Sequence, residues 1–180
     1  CTVDYDTIAG GDKFGNLFLL RLPEKVSDDV DNPTGNRVLW DTGRLNGAPN
    51  KVEVLAHFYV GEVVTALQKV ALVPGGQEVI LYATVAGTVG ALVPFSSRRS
   101  KNTFFLLEME MRKEANLHFK RDHIAYRSYY APVKEVIDGD LCELFGGLPA
   151  TKQRAVALEV LDRTPGEVLK LVEDFKNTIL

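Results

Sequence analysis

Short apolar or alternating runs, each closed by glycine, proline or asparagine, follow one another through the first 95 positions of the chain. This is the pattern of successive β-strands. Six are predicted: Thr2–Ala9, Asn16–Leu22, Lys51–Val60, Glu62–Leu72, Glu78–Ala86 and Thr88–Phe95, with hairpin punctuation at Gly61, at Pro74 to Gly76 and at Gly87. Residues 23–50 interrupt the series with acidic side chains, Asn32-Pro33, Gly35, Gly43 and Asn46-Gly47. They predict a long exposed loop, with room for one short strand at Val38–Trp40. A meander of this kind suggests a sandwich, barrel or propeller.

After Phe95 the apolar spacing changes from two to three and four. Phe104, Leu107, Met111 and Ala115 fall on one face, flanked by Phe105 and Met109, and predict an amphipathic helix from about Thr103 to Leu117. Val136–Phe145 suits a short helix capped by Asp138 and stopped at Gly146-Gly147. A helix over about Ala150–Asp162 is predicted to pair, as an antiparallel hairpin, with a last helix that opens on a capping box. In that box Thr164 precedes Pro165 at the first helical position and Glu167 follows, and Val168, Leu171, Val172, Phe175 and Ile179 form the apolar stripe. The expected architecture is strands followed by helices.

Composition narrows the functional classes. With 180 residues, 46% hydrophobic and 25% charged, the chain fits one ordinary globular domain, or one with a small appendage, and is neither disordered nor collagenous. The 21 basic and 24 acidic residues give a formal net charge of −3. Both halves are close to balanced, so neither has the cationic surplus that would make nucleic acid or anionic lipid the leading partner. No apolar run reaches membrane-span length and no leader pattern opens the chain, so a soluble, unsecreted protein is expected. Cys1 and Cys142 are too isolated for a disulfide framework or a zinc site and are expected to be reduced. A start at Cys1 that leads directly into strand-like sequence suggests a piece of a longer polypeptide.

Several motifs carry candidate chemistry. Gly10–Gly15 resembles a phosphate loop, but Asn16-Leu17 replaces the lysine and hydroxyl residue, and a strand follows where a helix is required, so a tight turn is the better reading. Asp138 and Asp140 could form a metal or acid–base pair, yet the oxygen ligands of a calcium loop are missing and both positions suit a helix N-terminus. His57, His118 and His123 have no nucleophile elbow or zinc-protease spacing beside them. From Arg98 to Arg127 basic residues outnumber acidic ones, and Arg121-Asp122-His123 precedes Arg127-Ser128-Tyr129-Tyr130. That segment could contact RNA through stacking and phosphate pairing, or it could be a polar junction between helices, sheet and partner protein. No convergent catalytic set, metal site or cofactor site emerges.

A set of motifs stands in one order along the chain: Asp12–Asn16, Leu45–Lys51, Val60–Glu62, Pro74–Gly76, Val93–Phe95, Arg121–His123, Arg127–Tyr130, Pro132–Lys134, Val136–Glu143 and Leu161–Pro165. Over essentially residues 3–180 they resemble the family that includes the large cleavage and polyadenylation factor subunit and the damage-specific DNA-binding adaptor of cullin ubiquitin ligases. Ile137–Leu141 alone would indicate the family. The combination of Leu45–Lys51, Arg121–His123, Arg127–Tyr130, Pro132–Lys134, Val136–Glu143 and Leu161–Pro165 is similar to the splicing branch. The chain departs from that branch at Ala115–Lys120, where a proline-rich stretch with Cys-Gly is usual, and at Ser97–Ser100, which is less acidic than expected.

The resemblance implies three seven-bladed β-propellers followed by a helical C-terminal domain. Residues 1–96 would be about two blades closing the third propeller, with residues 23–50 as a long loop, and residues 97–180 the helical domain. It further implies a non-catalytic nuclear scaffold for pre-mRNA splicing. In that role the protein would hold the HEAT-repeat subunit and a small helical subunit of splicing factor 3b within the U2 small nuclear ribonucleoprotein, with RNA contact weak or indirect. A paralogous ligase-adaptor or polyadenylation role is the alternative. Interfaces concentrate affinity in buried aromatic and arginine anchors, which makes Trp40, Tyr59, Arg121, Arg127, Tyr129 and Tyr130 the candidate partner contacts.

Overall fold

A computed structural model describes residues 1–23, 52–114 and 122–177. The expected short strand at Val38–Trp40, most of the loop around it, and the C-terminal end of the first predicted helix lie outside the described residues. All six predicted strands are present: β1 (Thr7–Gly11), β2 (Asn16–Arg21), β3 (Glu53–Tyr59), β4 (Val64–Ala71), β5 (Glu78–Thr84) and β6 (Val89–Leu92). They form two three-stranded antiparallel sheets, β1-β2-β3 and β4-β5-β6. Ala9 pairs with Leu19, and Leu17 with Phe58, so the alternating residues Ala9, Leu17, Ala56 and Phe58 face inward and are buried.

The first strand starts later than its apolar pattern suggests. Val3 and Asp4 both donate backbone N–H groups to the Thr7 carbonyl, so the chain turns there before β1, and Thr2 makes only an isolated bridge to Ile8. The Asp12–Gly15 turn between β1 and β2 is held by one carboxylate. Asp12 Oδ1 accepts from the N–H groups of Phe14 (2.8 Å) and Asn16 (2.9 Å), and Oδ2 from Asn16 Nδ2 (2.7 Å). Those hydrogen bonds satisfy the aspartate locally and make this a hairpin turn, as the sequence implies.

The helices follow as α1 (Arg98–Glu114), α2 (His123–Arg127), α3 (Gly139–Glu143), a 3-10 turn (Leu144–Gly147), α4 (Ala150–Ala155), a π-helical turn (Val156–Val160) and α5 (Pro165–Asn177). Helix α1 begins six residues before its apolar stripe because Ser97 supplies the start: its Oγ accepts from Arg99 N (3.2 Å) and its carbonyl from Lys101 N (3.0 Å). The predicted helix Ala150–Asp162 gives way to the π turn, which ends at Val160, and Asp162 beyond it has a φ of +50°. The capping box of α5 forms reciprocally. Thr164 Oγ1 accepts from Glu167 N (3.3 Å) and Glu167 Oε2 accepts from Thr164 N (2.7 Å).

One apolar core joins α1, α3, the 3-10 and π turns and α5. Phe104, Leu107 and Met111 of α1 pack with Leu141, Cys142, Phe145, Val156, Ala157, Leu161 and Val168. Fully burying a side chain such as Leu107 or Phe145 contributes roughly 1.5–3 kcal/mol. Phe95 and Phe175 extend the core through stacked rings with centroids 4.9 Å apart. Direct attachments among the described residues tie this body to the sheets. His57 and Lys134 exchange both backbone hydrogen bonds at 3.0 Å, and α2 lies against β3. Among the described residues no helix is long and apolar enough to cross a membrane.

Candidate functional site

A cluster of buried polar side chains lies where α2 meets β3. Asp138, at the start of α3, is 4% exposed. Its Oδ2 accepts from His123 Nε2 (2.7 Å) and from Arg127 Nε (2.7 Å), while Oδ1 accepts from Leu141 N (3.4 Å) as a helix cap. The spacing of His123 and Arg127, four residues apart on α2, turns both toward the same carboxylate. Arg127 then reaches further. Its Nη1 donates to the carbonyls of Tyr59 (3.0 Å) and Val60 (3.4 Å) at the end of β3, and its guanidinium lies 4.5 Å from the Phe58 ring centroid.

The node extends into α1. Glu108, 2% exposed, accepts from Asp138 N (3.1 Å) and pairs with Arg112 Nη2 (2.9 Å). Two carboxylates and two guanidiniums are therefore interleaved with one imidazole, and buried ionic groups survive in this form only when paired and hydrogen-bonded. Burial alone would raise the Asp138 carboxyl. The hydrogen bonds from His123 and Arg127, with the charge of Arg127, outweigh it and hold the group below its ordinary value of 3.8.

The neighbouring Asp140 behaves oppositely. Burial and the adjacent Asp138 charge raise its carboxyl, with Arg127 and Lys176 offsetting only part of the effect. The Cys142 thiol is also pushed up, first by burial and then by Glu108, which leaves it a packed apolar group.

Four of the six candidate partner contacts converge on the outer side of this node. Tyr59 stacks on Tyr129 with centroids 5.7 Å apart and meets Tyr126 and Tyr130 edge-on at 5.5 and 5.7 Å. Tyr130 in turn touches Phe14, 5.1 Å away. Tyr129 and Tyr130 are 56% and 52% exposed and Phe14 50%, so the cluster shows an aromatic face to solvent. Arg127 stands behind it, committed to Asp138 and the β3 carbonyls. Trp40 and Arg121 lie outside the described residues.

Gly61 fixes this corner. Its φ of +96° is a left-handed conformation, and a Cβ there would stand 2.2 Å from the Tyr126 hydroxyl.

Chemically, the node can position groups and hold charge. Among the described residues His123 donates to Asp138, and no hydroxyl or thiol hydrogen-bonds it. No cluster of metal-ligating side chains occurs among the described residues. Asp138 has the capping role expected of it, but its pairing with His123 and Arg127 is not predicted by local pattern, because the partners are 15 and 11 residues away. Glu108 carried a clearer signal: it lies four residues after Phe104 and three before Met111, a charge inside the apolar stripe of α1.

Residues 1–147 match the family described as the CPSF A subunit region. The chain belongs to this family. Its similarity to individual relatives covers nearly its whole length. It is 54% identical over 99% of the chain to spliceosome-associated protein 130 A of Arabidopsis thaliana, and 52% identical over 98% to splicing factor 3B subunit 3 of Danio rerio. A third relative, the pre-mRNA-splicing factor RSE1 of Mycosarcoma maydis, is 52% identical over 94% of the chain. The chain spans 14–15% of the length of these relatives. The Asp138 node and the tyrosine cluster are therefore features of a CPSF A region similar to that of splicing proteins.

Proposed function

We propose that this chain is a non-catalytic docking part of a splicing factor 3b-type complex, acting in pre-mRNA splicing in the nucleus. The observation that carries this reading is the 52–54% identity, over 97–99% of the chain, to relatives named as splicing factor 3B subunit 3 and spliceosome-associated protein 130. In this reading residues 1–96 are blades of a β-propeller and residues 97–180 a helical domain attached to it. The two three-stranded sheets and the separate helical core are compatible with that division. The partners are the HEAT-repeat and small helical subunits of splicing factor 3b within the U2 particle.

The docking face is the aromatic cluster. Tyr129 and Tyr130 offer rigid amphipathic rings, backed by Tyr59 and held in place by Arg127, the composition that interface anchors favour. Trp40 and Arg121 are further candidates. The test is purification of the intact protein from nuclear extract, with mass spectrometry of what remains after a wash in ~0.5 M salt, where phosphate-mediated contacts weaken steeply. Recovery of splicing factor 3b subunits supports the reading. Recovery of a cullin or of polyadenylation factors overturns the assigned pathway. Tyr129→Ala combined with Tyr130→Ala is expected to reduce the recovery at least tenfold, and unchanged recovery removes the aromatic face from the interface.

A further inference from the structure

A second surface lies away from the tyrosines. A cavity of about 610 Å³ opens between the two sheets and the helical core. Leu19 and Ala56 wall it from the first sheet, Ile80 and Ala91 from the second, and Ile137 and Phe175 from the side of the helical core. Its volume is within the range of ligand and side-chain pockets, roughly 300–1,000 Å³.

The mouth is acidic. Among the described residues, its lining sets Asp4, Glu78, Glu135, Asp140 and Glu143 against Lys69 and Lys176. Both lysines are already neutralised, Lys69 by Glu78 at 2.7 Å and Lys176 by Glu143 at 2.8 Å, and Glu135 is paired with Lys101. Asp4 and Asp140 have no ion pair among the described residues.

We propose that this groove docks a partner protein through an apolar segment flanked by a basic side chain, with Asp140 receiving the positive charge. Three observations support that occupant. The walls are apolar and would bury leucine-sized anchors. The unpaired charge that the described residues place at the mouth has one sign, which repels a phosphate backbone and selects a cation. Asp140 lies beside Asp138, and Arg127 and Lys176 offset only part of that repulsion and of its burial, so a cationic partner relieves a carboxylate that the fold compensates incompletely. The inference rests on the docking reading above and adds to it a second contact with a defined chemistry.

The test uses two short helical peptides of identical pattern, one of leucine and lysine and one of leucine and glutamate, titrated into the intact chain by fluorescence anisotropy. The lysine peptide is expected to bind at least ~10-fold more tightly. Asp140→Asn is expected to weaken it about three- to fivefold, the size of one partly exposed ion pair. Ala91→Phe, which fills the groove, is expected to weaken it more than ~10-fold. Equal binding of the two peptides overturns the proposal, as does wild-type affinity in Asp140→Asn. If Ala91→Phe does not melt cooperatively, the isosteric Asp140→Asn carries the decision alone. The wild-type chain is also taken through the high-salt purification. Splicing subunits recovered without peptide binding overturn this inference and leave the docking reading in place. Peptide binding without those subunits overturns the reading and leaves the groove chemistry standing.

Discussion

A double-mutant cycle on Asp138 and Arg127 tests whether one ion pair fastens α2 and the start of α3 to the end of β3. Asp138→Asn keeps the shape and the helix cap while removing the charge, and Arg127→Met keeps much of the side-chain length while removing the guanidinium. The two charge centres lie about 4 Å apart, where opposite unit charges attract by ~4 kcal/mol at an effective dielectric of about 20. Arg127 retains 16% side-chain exposure, against 4% for Asp138, and solvent screening lowers the expected coupling to about 2–3 kcal/mol. Each single substitution strands a buried or half-buried charge and is expected to cost ~3 kcal/mol or more. The double substitution should cost less than the sum of the two. The four proteins are unfolded in urea and followed by far-ultraviolet circular dichroism, with the slope checked for constancy. A coupling below ~0.5 kcal/mol would refute the argument, because it would mean that packing alone seats α2 on the sheet.

Acid should act through the same carboxylate. Its pKa is lower in the folded chain than in the unfolded one, so the unfolded state binds more protons in that window; the Asp138 contribution is complete above the ordinary carboxylate range and is lost as pH falls through the folded value, below 3.8. Urea midpoints of wild type and Asp138→Asn should therefore differ by a constant amount near neutrality and converge in acid; a gap that widens as pH falls contradicts the sign. Gly61→Ala forces a side chain into a left-handed conformation and against the Tyr126 hydroxyl, and is expected to cost about 2–4 kcal/mol by thermal melting. Gly75→Ala, also at positive φ (+74°) but with open space around it, is expected to cost only ~1 kcal/mol. Similar losses at the two glycines would deny the Tyr126 contact any role. Thr164→Ala removes the side-chain half of the α5 capping box and should lower stability by ~1 kcal/mol, read from the urea midpoint.

The elements legible in the sequence were those written in local contacts. β-Strand alternation around Ala56 and Phe58, the α1 stripe at Phe104, Leu107 and Met111, and the Thr164–Glu167 box each place cause and effect within one or two turns of chain. Boundaries slipped where a side chain acted across the edge of a pattern, as Ser97 does in starting α1 before its apolar stripe begins. The π turn at Val156–Val160 had no local signal at all, since the apolar residues there fit an ordinary helix equally well. The candidate site was half legible. Tyr59, Arg127, Tyr129 and Tyr130 could be named from residue type, but that they meet depends on β3 arriving beside α2 across some 70 residues of chain. Glu108 was the missed clue, a carboxylate on an apolar face that requires a buried partner.

That geometry gives the tyrosine face a dependence on residues it does not touch. Arg127 donates through Nε to Asp138 and through Nη1 to the carbonyls of Tyr59 and Val60, so one guanidinium bridges the helical core and the strand that carries the central ring of the cluster. A lysine could satisfy the carboxylate or the carbonyls but lacks the planar fork that reaches both. Neutralising Asp138 would leave Arg127 without the acceptor that aims it, and the end of β3 would lose its anchor while every surface tyrosine remained in place. A loss of partner binding on Asp138→Asn would therefore report positioning, and its signature is rescue: a partner that binds through the rings should recover affinity when the β3 corner is stiffened elsewhere, whereas a partner that contacted the carboxylate itself would not.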